Sequence, residues 1–133
     1  MVLIRRKFAK LMIDEYPILS VAAACADSPS VFKGLNELRL KESNRLELIK
    51  TNLLRCGCHC EIKGDDLFIN PVNKTEANQL NIKTDFDHRI AMAFAVMGSK
   101  IGNLNIQNPD SIKTSFPNFV DEFNKAGGNI IEK

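Results

Sequence analysis

The residues best suited to chemistry lie together in segment 38–46, which reads LRLKESNRL. Glu42 follows Lys41 directly and precedes Arg45 by three positions, so one carboxylate lies among cations. Such cations can keep the carboxylate ionised, and they can also bind an anion. The segment therefore indicates a site for proton transfer beside a bound anion. The same pattern is also typical of a solvated helix surface with a weak ion pair.

A predicted helix directly after this segment would position these side chains. Ser43 is its predicted N-cap. The charged residues of the segment would then converge at a helix N-terminus, whose amide groups also favour an anion. Apolar residues at intervals of three and four place one stripe along the helix: Leu46, Ile49, Leu53 and Cys56.

Helix and strand patterns alternate along the rest of the chain, which predicts an α/β fold. The polar segment 71–83 is predicted to be a connecting loop between two units of similar architecture, at about residues 1–72 and 73–133 of one domain. The other predicted elements are a strand at 1–4, a helix at 13–26 with Pro17 in its first turn, a strand at 31–32, a hairpin of 58–63 with 66–70, a helix at 87–97, a strand at 104–107, a helix at 117–126 and a strand at 129–131.

Composition excludes several classes of protein. With 44% hydrophobic and 26% charged residues in 133, the chain is typical of one soluble globular domain. A net charge of +2 with one Tyr and no Trp argues against a nucleic-acid partner. No apolar run is long enough for a membrane span or a secretion signal, so we expect a cytoplasmic protein without a membrane partner.

Three of the four cysteines lie in the cluster CGCHC at residues 56–60. A zinc site is one interpretation, but structural zinc sites use two separated ligand pairs, and Cys25 alone cannot supply the second. The alternative is that these thiols are small, reduced, apolar groups in the core. We expect no metal.

Four motifs carry a resemblance to a known family, and they occur in its order. They are residues 12–19 (MIDEYPIL), 38–46, 87–93 (DHRIAMA) and 113–117 (KTSFP). With them the chain resembles the 5-enolpyruvylshikimate-3-phosphate synthases, the 3-phosphoshikimate 1-carboxyvinyltransferases of the shikimate pathway, from about Leu11 to the C-terminus. That family has two lobes, each an inside-out α/β barrel of repeated βαβαββ units. The resemblance implies about two units of the C-terminal lobe, with the N-terminal lobe absent from this chain.

The resemblance also implies a reaction and roles for particular residues. The family transfers the enolpyruvyl group of phosphoenolpyruvate to the 5-hydroxyl of shikimate 3-phosphate and releases phosphate, without a metal or other cofactor. Asp14 would bind the shikimate hydroxyls and accept the 5-hydroxyl proton, and Glu42 would deliver and later remove the methylene proton. The side chains implied to bind substrate are Lys41, Arg45, His88, Arg89 and Lys113.

Other interpretations stay open at the level of sequence. Asp14 taken alone could be only a helix cap, and His88 could be structural. The chain could be a noncatalytic α/β module that binds an anion, or a relative of UDP-N-acetylglucosamine enolpyruvyl transferase, although the KES and DHRIAM motifs favour the shikimate enzyme. Because the family's site lies between lobes, we expect the chain alone to be inactive, to need the N-terminal lobe, and to self-associate through exposed apolar surface.

Overall fold

A computed structural model of the chain describes residues 1–72 and 79–133. Its strands are β1 (Val2–Ile4), β2 (Ser30–Phe32), β3 (Cys60–Lys63), β4 (Asp66–Ile69), β5 (Leu80–Ile82) and β6 (Leu104–Ile106). Its α-helices are α1 (Ala9–Met12), α2 (Tyr16–Ala24), α3 (Arg45–Arg55), α4 (His88–Ile101), α5 (Asp110–Ser115) and α6 (Phe119–Lys125). Short 3-10 turns occur at Arg6–Phe8, Ile13–Glu15 and Asn36–Leu40.

The first part of the chain forms a mixed sheet with the strand order β1-β2-β4-β3. β1 and β2 are parallel and are connected through α1 and α2, while β3 and β4 form an antiparallel hairpin that pairs with β2. Along the chain this part runs strand, two helices, strand, helix, strand, strand. The predicted hairpin around Gly64 is confirmed.

The second described part begins with β5 and continues through α4 to β6, which pairs in parallel with β5. α5 and α6 follow, and α5 packs against α4. Both parts therefore contain two parallel strands with helical connections, through α1 and α2 in the first part and through α4 in the second. The predicted α/β class is confirmed.

Helices α2, α3 and α4 contact one another and form the centre of the core. Small residues let α2 and α4 approach closely, since Ala24 and Ala91 are fully buried. The Sγ atom of Cys25 lies 3.6 Å from the Sδ atom of Met97, on the opposing helix. The apolar stripe predicted for α3 is confirmed, because all four of its residues are fully buried.

Several predicted bounds were wrong. α3 begins at Arg45 and its N-cap is Asn44, whose Oδ1 accepts from the backbone N–H of Glu47 at 3.2 Å. Ser43 is not the cap, because its hydroxyl donates to Asp87 instead. Residues 129–131 are not a strand, and no described strand pairs with them.

Three short α-helices and strands were absent from the prediction: α1, β5 and α5. β5 occupies the end of the segment predicted as a loop. Pairing with β6 stabilises this strand, and its three residues are too few to show a sequence pattern. α5 overlaps the first three residues of the motif at 113–117, in a polar stretch without an apolar period. The remainder of the loop prediction, at residues 73–78, lies outside the described residues.

Crossing a bilayer requires a helix that is both long and apolar. None of the described helices combines the required length with the required apolar character.

Candidate functional site

The centre of the site is an ion pair between Arg45 and Asp87, two groups far apart in the sequence. The side chain of Arg45 is 1% exposed and that of Asp87 is fully buried. Arg45 Nε donates to Asp87 Oδ2 at 2.8 Å, and Nη2 donates to Asp87 Oδ1 at 3.3 Å. One side of the planar guanidinium is therefore bound to both oxygens of the carboxylate.

The outer edge of the guanidinium, formed by Nη1 and Nη2, contacts the two carboxylates that the sequence motifs singled out. Nη1 of Arg45 donates to Oδ1 of Asp14 at 3.0 Å, and Nη2 donates to Oε2 of Glu42 at 2.5 Å. The side chains of Asp14 and Glu42 are 44% and 56% exposed. A buried guanidinium thus presents its outer edge to two partly solvated carboxylates.

Lys41 and Arg89 complete this group of charges, which we call the Arg45 cluster: Asp14, Glu15, Lys41, Glu42, Arg45, Asp87 and Arg89. Nζ of Lys41 lies 3.3 Å from Oδ1 of Asp14. Nη1 of Arg89 donates to the backbone oxygen of Asp14 at 3.1 Å and lies 3.7 Å from Oε1 of Glu15.

The ion pair of Lys41 differs from the sequence expectation, which placed this amine beside Glu42. The backbone at Lys41 is extended, with φ −89° and ψ −157°. Adjacent residues in extended backbone project to opposite sides. Lys41 therefore contacts Asp14, while Glu42 contacts Arg45.

A tight turn positions Asp87 at the start of α4. The backbone N–H of Asp87 donates to the carbonyl of Thr84 at 2.9 Å, and both residues between them, Asp85 and Phe86, have positive φ. Positive φ is unusual for side chains of this size and occurs where surrounding contacts enforce it. One such contact is the hydroxyl of buried Thr84, which donates to the carbonyl of Gln107 at 2.8 Å.

The two aspartates of the cluster have lowered pKa values. Burial by itself raises the pKa of Asp87, but hydrogen bonds from Arg45, Ser43 and the backbone of Arg89 outweigh it and hold that pKa below its ordinary value. Burial likewise raises the pKa of Asp14. The larger, opposite effect comes from the hydrogen bond of Lys41 and from the positive charges of Lys41, Arg45 and Arg89, so the pKa is lowered. Both carboxylates are therefore ionised at neutral pH.

Five of the seven residues singled out from sequence belong to the cluster, and two do not. His88 is half-buried at the first position of α4, and Lys113 is exposed on α5. Neither side chain forms a hydrogen bond or ion pair with any residue in the ranges 1–72 and 79–133.

Sequence reasoning did not single out two residues that the structure places at the centre. Asp87 opens the motif at 87–93, but it was not assigned a role, although an aspartate before a helix is a sign of an N-cap. Ser43 was interpreted as the N-cap of α3, and nothing in the sequence indicates its bond of 2.7 Å to Asp87.

The cysteine cluster lies in the core rather than at a surface site. Cys56, Cys58 and Cys60 are buried, and burial raises the pKa values of their thiols to about 11, 12 and 11. His59, between them, is exposed. In the part of the chain that the structure describes, no three His, Cys, Asp or Glu side chains are arranged to hold a metal ion.

Comparison with known proteins gives one family. The family model described as EPSP synthase (3-phosphoshikimate 1-carboxyvinyltransferase) matches residues 8–123. The 3-phosphoshikimate 1-carboxyvinyltransferase of Paramagnetospirillum magneticum is 42% identical over 123 residues, which is 92% of this chain and 28% of that protein. The corresponding protein of Methylorubrum populi is 45% identical, again over 92% of this chain and 27% of its own length.

Solved structures agree with this assignment. The structure of EPSP synthase from Acinetobacter baumannii matches with a TM-score of 0.84 and 33% identity, covering 98% of this chain and 31% of that one. The chain thus spans less than a third of the length of these relatives. Because the family model matches most residues of this chain, the chain belongs to the EPSP synthase family.

Proposed function

We propose that this chain supplies part of the C-terminal lobe of a 3-phosphoshikimate 1-carboxyvinyltransferase. The reaction moves the enolpyruvyl group of phosphoenolpyruvate to the 5-hydroxyl of shikimate 3-phosphate and releases phosphate. The observation that carries this proposal is the attachment of both Asp14 and Glu42 to the outer edge of one buried guanidinium, that of Arg45.

The outer edge of Arg45 suits an anionic substrate. Its two terminal nitrogens can donate in parallel to two oxygens of a carboxylate or phosphate. These donors bind Asp14 and Glu42, so an incoming phosphoenolpyruvate exchanges with side-chain carboxylates of the protein. Lys41 and Arg89 supply further positive charge at the same rim.

The same exchange prepares Asp14 for proton transfer. While Lys41 and the two arginines contact it, Asp14 remains ionised and accepts a proton poorly. A bound substrate anion offsets those cations and raises the proton affinity of Asp14. Asp14 then accepts the proton of the 5-hydroxyl and passes it to the departing phosphate. Glu42 takes up a proton from solvent, gives it to the methylene carbon and later removes one.

The wider architecture is also part of the proposal. We assign residues 1–72 and 73–133 to two βαβαββ-type units of the inside-out barrel, within a single domain. The order of helices and strands in the first part supports this assignment. The N-terminal lobe is the partner that provides the remaining contacts to shikimate 3-phosphate. His88 and Lys113 bind substrate only once the complete cleft has formed, and the free thiols suit the cytoplasm.

The test is calorimetric titration of the chain with phosphoenolpyruvate and shikimate 3-phosphate, together with an assay of phosphate release. Each is run with the chain alone and with an added polypeptide that carries the N-terminal lobe of a relative. We expect weak phosphoenolpyruvate binding and no turnover alone, and turnover with both chains. Normal turnover by the chain alone, or no binding in either case, would refute the proposal.

A matched pair of variants assigns the proton transfer. Glu42→Gln removes the proposed acid, and we expect it to reduce turnover of the two-chain mixture by about 10²-fold or more. Glu47→Gln changes an exposed glutamate in the first turn of α3 in the same way, outside the cluster. It should retain the turnover of the unmodified mixture.

A further inference from the structure

We propose that Asp87, assisted by Ser43, is a positioning residue that fixes the guanidinium of Arg45 so that its outer edge faces the substrate. This inference deepens the proposed function, on which it rests for the identity of that substrate. Four observations carry it: the saturation of the Asp87 carboxylate, the side of Arg45 that it binds, its shared bond with α4, and the turn that holds it.

The Asp87 carboxylate has no capacity left for a substrate. Oδ2 accepts from Arg45 Nε at 2.8 Å and from Ser43 Oγ at 2.7 Å. Oδ1 accepts from the backbone N–H of Arg89 at 3.0 Å and from Arg45 Nη2 at 3.3 Å. A carboxylate has about four acceptor positions, so four donors occupy it fully. Asp87 is also completely buried, and it therefore acts through its neighbours rather than on a substrate.

The side of Arg45 that Asp87 binds determines which side is presented. Because Nε and Nη2 both donate to Asp87, the guanidinium plane cannot rotate without breaking two charge-assisted hydrogen bonds. The edge formed by Nη1 and Nη2 is left for Asp14 and Glu42. The hydroxyl of Ser43 donates to Oδ2 of Asp87, the atom that also accepts from Nε of Arg45. The hydroxyl therefore restrains the carboxylate as well.

Asp87 also sets the distance between the two arginines of the cluster. Its Oδ1 atom accepts from the side chain of Arg45 and from the backbone of Arg89, the second residue of α4. One carboxylate therefore joins the start of α4 to the guanidinium carried by α3. If both arginines grip one anion, their spacing depends on this single group.

The turn before Asp87 restricts the carboxylate to this place. Asp85 and Phe86 adopt positive φ values of 46° and 60°, and the turn is closed by the bond from Asp87 to Thr84. A bulky side chain such as Phe86 rarely adopts this conformation without enforcement, and such strain is typical of functional sites.

The test uses the complete 133-residue chain labelled with ¹⁵N-arginine. The variants are Asp87→Asn, which keeps the size and the capping ability of the side chain, Ser43→Ala, and Ser43→Thr, which keeps the hydroxyl. Asp65→Asn is the control, because it neutralises the partner of Arg39 in an ion pair outside the cluster. The readouts are the side-chain NMR signals of Arg45 and the dissociation constant of phosphoenolpyruvate.

We expect the terminal nitrogens of Arg45 to give separate signals in the unmodified chain, because rotation of the guanidinium is restricted. In Asp87→Asn these signals should merge and phosphoenolpyruvate should bind roughly tenfold more weakly, the order of effect of one charge-assisted hydrogen bond. Ser43→Ala should shift both readouts in the same direction, while Ser43→Thr should restore them and Asp65→Asn should change neither.

Two results would overturn the inference. One is an Arg45 spectrum that is the same in Ser43→Ala, in Asp87→Asn and in the unmodified chain. If Asp87→Asn does not fold, an unchanged spectrum in Ser43→Ala is sufficient to overturn the inference. The other is a merged spectrum without any loss of phosphoenolpyruvate affinity, which would leave Asp87 a merely structural partner. If phosphoenolpyruvate binds neither the unmodified chain nor its mixture with the N-terminal lobe, the proposed function fails at this site, whereas the arginine spectra still decide whether Asp87 orients Arg45.

Discussion

Arg45 carries a full positive charge into the protein interior, and only its partners make that burial tolerable. Removal of one member of a buried ion pair leaves the other charged and uncompensated. We expect Arg45→Met to lower the free energy of unfolding by about 3 kcal/mol or more, measured by urea denaturation. Addition of Asp87→Asn should recover part of that loss, because the stranded carboxylate is then neutral.

Arg39→Met is the control for this prediction. Arg39 pairs with Asp65, but both side chains are about one-third exposed, at 31% and 37%. Solvent-exposed pairs contribute little, so we expect a loss below about 1 kcal/mol. Equal losses in Arg39→Met and Arg45→Met would contradict the argument from burial.

The lowered pKa of Asp87 makes the stability of the chain depend on pH. A carboxylate whose pKa is lower in the folded state stabilises that state above its unfolded pKa of about 4, and the contribution disappears as the pH falls through the lower, folded pKa. We therefore expect the free energy of unfolding to decrease below about pH 4. The decrease should be shallower in Asp87→Asn, measured by urea denaturation between roughly pH 7 and pH 2.

Asp121→Asn serves as the comparison, since it removes an exposed aspartate in α6. Its pH dependence should follow that of the unmodified chain. The same slope in Asp87→Asn and the unmodified chain would show that Asp87 does not stabilise the folded state as an anion.

At the scale of elements, α3 depends on Asn44 for its first turn. The Oδ1 atom of Asn44 accepts from the backbone N–H of Glu47, which would otherwise lack a partner within the helix. We expect Asn44→Ala to lower the free energy of unfolding by about 1 kcal/mol, measured by chemical denaturation. A second effect follows, because fraying of this turn loosens Arg45, its first residue.

Asn118→Ala provides the matched control. Asn118 is the N-cap residue of α6, but its side chain forms no capping hydrogen bond. The same substitution there should cost a few tenths of a kcal/mol at most. Comparable losses at Asn44 and Asn118 would refute the capping role of Asn44.

The sequence allows long elements with a clear apolar period to be predicted, and short ones much less. The apolar stripe of α3 and the small-residue helix α4 can be recognised in the sequence, because buried residues recur at helical spacing over 11 and 14 residues. β5 has three residues and owes its existence to the parallel partner β6, so no local pattern reveals it. The prediction of a strand at 129–131 was wrong because no described strand lies beside these residues to pair with them.

The site shows the same division between local and distant contacts. Lys41, Glu42 and Arg45 are close in sequence, so their charge pattern can be recognised from the order of residues alone. Asp87 lies 42 residues from Arg45, and its role depends on a contact between the starts of α3 and α4. Only the folded chain reveals that pair.

At the scale of the whole molecule, large apolar side chains lie exposed close to the Arg45 cluster in sequence. Leu11, Leu40 and Phe86 are 84%, 83% and 68% exposed, and each is within three residues of a cluster member. Exposed apolar surface of this kind favours association. We expect the sedimentation coefficient of the chain to increase with protein concentration.

The variant with Leu11→Ser, Leu40→Ser and Phe86→Asn should sediment as a monomer at every concentration. Asn tolerates the positive φ of residue 86 better than Phe does, so the turn before Asp87 should persist. The urea midpoint of this variant should therefore remain close to that of the unmodified chain. Association that is unaffected by the three substitutions would place the contact surface elsewhere.

The composition of the Arg45 cluster has a kinetic consequence. Its three cations, Lys41, Arg45 and Arg89, lie beside four carboxylates, those of Asp14, Glu15, Glu42 and Asp87. At distances beyond a Debye length the cluster carries no positive field that would attract a diffusing anion. The cluster itself should therefore add little to the rate at which an anion is captured, and any electrostatic steering toward it must originate in charged residues outside the cluster.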